Sequence, residues 1–173
     1  IREVKTKRSI TNAFLELRAK KPLEKISVKE LAETAEISKA TFYLHYKDIY
    51  YLSEQLQKKL IQNIISVVSD PNQFLSDSAV AHQMLQNAFF SYHSLIGILF
   101  SGSQEPLLPK YIEESLKNAI FETNPAFKDD VKINTTLSFL ISGGFYAYLN
   151  NTKLFPEEEV TVSLEDLLKH FNS

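Results

Sequence analysis

An all-α fold is predicted by three features of the sequence: only four glycines and six prolines, long segments rich in Leu, Ile, Lys, Glu and Gln, and apolar residues recurring at helical spacing. A sheet of short strands would need many more turn residues. At 173 residues the chain is long enough to bury a sizeable core, and 44% hydrophobic with 23% charged residues is ordinary for a soluble globular protein. One domain, or a small head on a larger body, is expected.

Each element follows from its own signals. Ile10, Ala13, Phe14 and Leu17 share one helical face, and Pro22 closes that segment, so a first helix is expected over about residues 2–20. Ser27 followed by Glu30 makes a capping box, after which Val28, Leu31, Ala32 and Ala35 form an apolar stripe, giving a second helix to about Ala35. Ser38 caps a short third helix through His45. Asp48 caps a fourth, whose Ile49, Leu52, Leu56, Leu60, Ile64 and Val67 run on until Asp70 and Pro71. Beyond it the pattern predicts helices near 76–93, 94–102, 107–121, 128–150 and 163–172, packed as an irregular helical bundle.

Charge is divided unevenly. Residues 1–47 hold 11 Lys and Arg against 6 Asp and Glu, a net +5, and the remainder hold 8 against 15, a net −7, which together make the −2 of the whole chain. A basic head before an acidic body suits a protein whose one end approaches phosphate. The absence of cysteine excludes a disulfide or a thiolate metal site and fits a reducing cytoplasm. Residues 1–11 lack the apolar core of a signal peptide, and the apolar stretch 137–149 is too short to span a bilayer, so a cytoplasmic protein is expected.

The motif that carries function lies in the second and third helices. A recognition helix must protrude and enter a groove about 12 Å wide with small residues in its first turn. Ser38, Lys39, Ala40 and Thr41 meet that need, and Phe42, Tyr43 and Tyr46 supply an anchor and phenolic hydroxyls. The run from Ile26 to Ala32 and from Ile37 to Lys47 resembles the DNA-binding domain of the TetR family of regulators over residues 4–52. A fixed order is reproduced: a capped helix, Leu31-Ala32, an Ile37-Ser38 turn, then Thr41, Phe42, Tyr43 and His45-Tyr46.

The resemblance implies roles position by position. Lys39 and Ala40 match positions facing base edges, Thr41 and His45 match phosphate contacts, and Tyr43 matches a tyrosine reaching backbone or base. Ser27 and Lys29 match a phosphate contact and an occasional base contact. Two residues depart from the family pattern. Glu36 stands where the turn usually has glycine, which predicts a slightly different turn, because a side chain strains left-handed backbone. Ile49 stands in place of a lysine that contacts phosphate, a loss for which Lys47 is the nearby compensation.

In the body, His82, Phe89, Phe90, Tyr92, His93 and Phe100 are candidates for an effector pocket, although an aromatic stripe at helical spacing is more often plain core. The histidines His82 and His93 are too far apart for one helical turn, so no metal or other cofactor is expected. Gly143 and Gly144, with Tyr148 and with Leu164, Leu167, Leu168 and Phe171 of the last helix, read as a dimer interface in keeping with the family's pairing of its last two long helices, or as a kink in a buried helix. No glycine-rich phosphate loop, HExxH, nucleophile elbow or Cys-His arrangement is present, which argues against an enzyme.

The expectation is a DNA-binding domain over residues 1–47, and an effector-binding and dimerisation domain over 48–173. Its partners would be double-stranded operator DNA, a second copy and a small-molecule effector, with repression the expected output. The alternative is a body that binds a protein partner instead.

Overall fold

The computed structural model describes residues 2–68 and 70–170. These form helices and turns with no strand among them, as the composition predicts. Ten α-helices follow in order: α1 (Arg2–Arg18), α2 (Val28–Thr34), α3 (Lys39–Tyr43), α4 (Ile49–Ile65), α5 (Gln73–Ser76), α6 (Ser78–Leu99), α7 (Leu107–Thr123), α8 (Val131–Ser138), α9 (Gly144–Asn151) and α10 (Glu157–Lys169). Among the described residues no helix is long and apolar enough to cross a membrane.

Contacts divide the chain into two compact units, one within Ile1–Leu60 and His93–Glu105 and the other within Ile61–Tyr92 and Pro106–Ser173. The first unit is discontinuous in sequence, leaving at Leu60 and resuming at His93. Its later segment is held by polar bonds that spacing alone does not reveal. The buried Arg18 at the end of α1 donates from Nη2 to Ser101 Oγ at 2.9 Å and to Ser101 O at 3.3 Å, and from Nη1 to Lys21 O at 3.0 Å. Gln57 of α4, also buried, donates to Leu99 O at 2.8 Å and Gln104 Oε1 at 3.3 Å. Burial pushes the Arg18 guanidinium below its usual range, and the Glu24 carboxylate partly opposes that shift.

The first unit buries Ile10, Phe14 and Leu17 of α1 with Leu31 and Ala32 of α2 and Phe42 of α3. α2 packs on both α1 and α3. Burial of five large apolar side chains at about 1.5–3 kcal/mol each outweighs the weak intrinsic stability of helices as short as α2 and α3.

In the second unit, α8 and α9 form one helical path interrupted by a π-helical turn at Phe139–Gly143. A uniform helix over 128–150 misses this turn. Side chains grip it from two neighbours: Ser138 and Ser142 hydroxyls donate to Glu113 of α7 at 2.6 and 2.7 Å, and His82 of α6 meets Leu140 O at 2.9 Å. Lys117 pairs with Glu113 at 2.9 Å. Burial raises the Glu113 carboxyl, but Lys117 and the two serine hydroxyls outweigh it and hold the group below the usual carboxylate range.

Three other boundaries differ. The expected break at Ser94 is absent, because neither proline nor a side-chain cap interrupts α6 between Ser78 and Leu99. α10 begins six residues earlier than expected, after Pro156, where Glu157, Glu158 and Glu159 complement the helix dipole. The four-residue α5 is too short to show a period.

Candidate nucleic-acid interface

The local chemistry of residues 27–47 presents one helix edge to solvent. Ser27 Oγ accepts from Glu30 N at 3.2 Å, so one half of the expected capping box forms. The other half does not: the Glu30 carboxylate pairs with Lys21. α2 ends in a Schellman arrangement, with Ile37 N donating to Ala32 O at 2.9 Å and Glu36 N to Glu33 O at 3.2 Å. That closure requires a left-handed residue, and Glu36 adopts it at φ 55°. The expected departure in the turn is thus corrected: the glycine-type conformation is kept and its strain accepted.

Ser38 then caps α3, its Oγ accepting from Thr41 N at 3.0 Å and sharing a hydrogen bond with Thr41 Oγ1 at 2.8 Å. One hydroxyl proton of the pair is spent there, which leaves the other for an outside acceptor. Phe42 is fully buried and fixes the rotation of α3, with Tyr43 edge-on at 5.5 Å and Tyr46 tilted at 5.8 Å between ring centroids. With Phe42 inward, the other face points out.

Ser27, Lys29, Ser38, Lys39, Ala40, Tyr43 and Lys47 are exposed, and Thr41 and His45 are half-buried. All nine residues expected to contact DNA therefore reach the surface. Lys39 and Lys47 form no ion pair among the described residues, whereas Lys29 lies 4.0 Å from Glu33 and Lys7 pairs with Glu3 at 2.8 Å. Tyr46 is half-buried, and burial raises its phenol above the usual range against the opposing influence of Lys7. Its ring packs against Phe42 and helps to hold α3 in place.

Leu44 was not singled out by the sequence, yet it is 82% exposed on α3's outward side. Its position four residues after Ala40 was the available signal. Tyr50 and Tyr51 at the start of α4 are exposed too, while Ile49 is buried in the core. Asp48 caps α4 as expected, accepting from Tyr51 N at 2.7 Å.

Of the six candidate pocket residues, His82, Phe89, Phe90 and Tyr92 lie in the second unit and His93 and Phe100 in the first. Phe100 is buried in the first unit, Phe90 is 74% exposed, Phe89 meets Phe145 at 6.3 Å, and His82 is bonded to backbone carbonyls. None of them lines any of three hollows formed by residues of the second unit. Of these, a groove of about 310 Å³ lies between α9 and α10, lined by Phe155, Val160, Leu164 and Leu167, and a cleft of about 320 Å³ lies beside Glu113 and Tyr146. The third is an open face of α10 alone. No group of three or more His, Cys, Asp or Glu among the described residues could hold a metal ion.

The interface candidates divide. Gly143 has open space beyond it, Leu167 is 58% exposed and Leu164 half-buried. Three others make contacts within their own chain. A Cβ on Gly144 would stand 2.4 Å from His82 Nε2, Leu168 packs with Ala79 and Leu140, and Tyr148 bonds Glu157. Burial, then that carboxylate, push the Tyr148 phenol up to about 12. Phe171 lies outside the described residues. Exposed Phe139, Tyr146 and Val162 are apolar surface that the sequence did not single out.

Comparison with known proteins finds no match: no family model, no curated protein and no solved structure is similar to the chain.

Proposed function

We propose that the chain is a DNA-binding transcription regulator that inserts α3 into the major groove. Within that class it is a regulator of the TetR type, a homodimer that represses transcription and is released by a small molecule held in its body. The observation that carries this reading is the outward edge of α3, where Lys39, Ala40, Tyr43 and His45 reach the surface around a fully buried Phe42. A net charge of +5 on residues 1–47 supports it independently.

Two copies would place their α3 helices in successive major grooves, roughly 34–36 Å apart. The surface that suits a second copy joins Gly143, Phe139 and Tyr146 to Val162, Leu164 and Leu167. An effector that favours one separation of the two α3 helices over another couples its own site to the operator by that difference in affinity.

Selection of bound duplexes from random DNA tests the reading, and a nearly palindromic consensus is expected. On that duplex Lys39→Ala relaxes base specificity at one position, and Lys47→Ala weakens binding to all sequences alike, reducing the salt slope by about 1. Equal loss on consensus and random DNA for Lys39→Ala assigns it to phosphate instead. A ligand screen by thermal shift, set beside a pull-down, separates a small effector from a protein one.

A further inference from the structure

The outward face of α3 is unusually apolar for a surface that would read polar base edges. Ala40, Tyr43 and Leu44 stand at i, i+3 and i+4, so their side chains form one facet. Leu44 is 82% exposed, Tyr43 is 56% exposed and Ala40 is exposed as well. Polar flanks surround this facet: Ser38 and Lys39 precede it, and Lys47 follows. Among the described residues neither lysine is neutralised by a carboxylate.

The side chains of residues 38–47 also leave most base-reading options unfilled. That stretch has no Arg, Asn, Gln, Asp or Glu. Guanine is read by Arg or Lys, adenine by Asn or Gln, and cytosine by an acidic acceptor. Thymine alone offers a methyl group to an apolar contact. A cationic rim around an apolar facet therefore matches a duplex whose phosphates meet the lysines and whose thymine methyls meet the facet. The net charge of +5 on residues 1–47 extends the cationic rim well beyond this facet and favours a duplex over a protein surface as its partner.

We infer that the Ala40–Tyr43–Leu44 facet reads thymine methyl groups in the major groove, with Leu44 as its principal specificity-determining residue. This rests on the DNA-binding reading above. Each half-site then carries a guanine facing Lys39 and, beside it, thymines facing the facet. Tyr43 adds its ring face to the contact, and its hydroxyl remains available to the backbone.

The experiment replaces thymine by uracil, one position at a time, in the duplex selected from random DNA, which removes the methyl and keeps every hydrogen-bonding group. Wild-type protein is expected to lose about fourfold in affinity for each buried methyl removed. Leu44→Ala is expected to bind the thymine duplex more weakly, to lose the distinction between thymine and uracil at its position, and to keep the wild-type salt slope. An 82% exposed side chain leaves the fold unaffected when truncated, and an unchanged unfolding midpoint verifies that. Equal wild-type affinity for thymine and uracil duplexes overturns methyl reading while leaving DNA binding intact. Failure to retain any duplex overturns the DNA reading itself, and with it this inference, in favour of a protein partner.

Discussion

Glu36 holds a left-handed backbone at φ 55° so that α2 can close before α3 begins. For a residue with a Cβ this costs about 1–2 kcal/mol, while glycine would lose about 0.5–1 kcal/mol in extra chain entropy. The difference predicts that Glu36→Gly is neutral to about 1 kcal/mol stabilising in urea unfolding. Glu36→Val, branched at Cβ, is destabilising by more than 1 kcal/mol. A marked loss of stability in the glycine variant would mean that the Glu36 side chain makes a contact outweighing its strain.

A second residue links stability to pH. Both ring nitrogens of His82 face carbonyl oxygens, Nδ1 at 2.8 Å from Ser78 O and Nε2 at 2.9 Å from Leu140 O, and its ring lies 5.2 Å from Phe74. Burial lowers its pKa despite the two carbonyls, which act in the opposite direction. Because the folded value lies below the unfolded one, the unfolded chain binds more protons in the acid range. The contribution of His82 is therefore intact above the usual imidazole pKa of about 6.5 and is lost as pH falls through the depressed folded value. The thermal midpoint should fall between about pH 7.5 and 5, and His82→Gln should flatten that fall. An equally steep fall in the variant would assign the pH dependence to other groups.

At the scale of elements, the π-helical turn between α8 and α9 explains why the two adjacent glycines differ. Gly144 leaves room for His82 to reach Leu140 O, whereas Gly143 meets nothing within 4 Å. Gly144→Ala gains up to about 1 kcal/mol in helix propensity but displaces the imidazole, so a net destabilisation of about 1–3 kcal/mol is expected in denaturant unfolding. Unchanged stability would show that the ring moves aside freely. α3 illustrates the opposite relation between sequence and element. Its start, its cap and its buried anchor were all legible from Ser38 and Phe42, because a cap and a core residue leave local signatures.

Across the whole molecule, legibility tracks how local the deciding interactions are. The helical class, the helices up to Ile65 and the surface position of the nine candidate DNA contacts followed from spacing and caps within a few residues. The discontinuous first unit did not, since Arg18–Ser101 and Gln57–Leu99 are long-range bonds made by residues that look like ordinary surface polar groups in sequence. The candidate pocket residues show the same limit: His82 bonds to Leu140 O and Phe89 meets Phe145, contacts to residues distant in sequence that spacing along α6 does not reveal. Gly144 and Leu168 likewise make contacts within their own chain, with His82 and with Ala79 and Leu140, and Tyr148 bonds Glu157.

Assembly is the prediction that belongs to this scale. Under the proposed pairing, Leu167→Glu places a carboxylate in an apolar contact beside Glu159 and Asp166. Light scattering should then report a monomer, and affinity for a palindromic duplex should drop to that of a half-site. A dimer that persists unchanged would place the pairing surface elsewhere.

The central claim, that the exposed edge of α3 lies in a major groove, is tested most directly by photo-cross-linking from position 44, where the side chain is already large and exposed, with a benzoyl-phenylalanine side chain. The account predicts cross-links to bases of the selected duplex at two places one helical turn, about 10–10.5 base pairs, apart. Cross-links confined to the sugar-phosphate backbone, or to protein alone while the duplex remains bound, would contradict it.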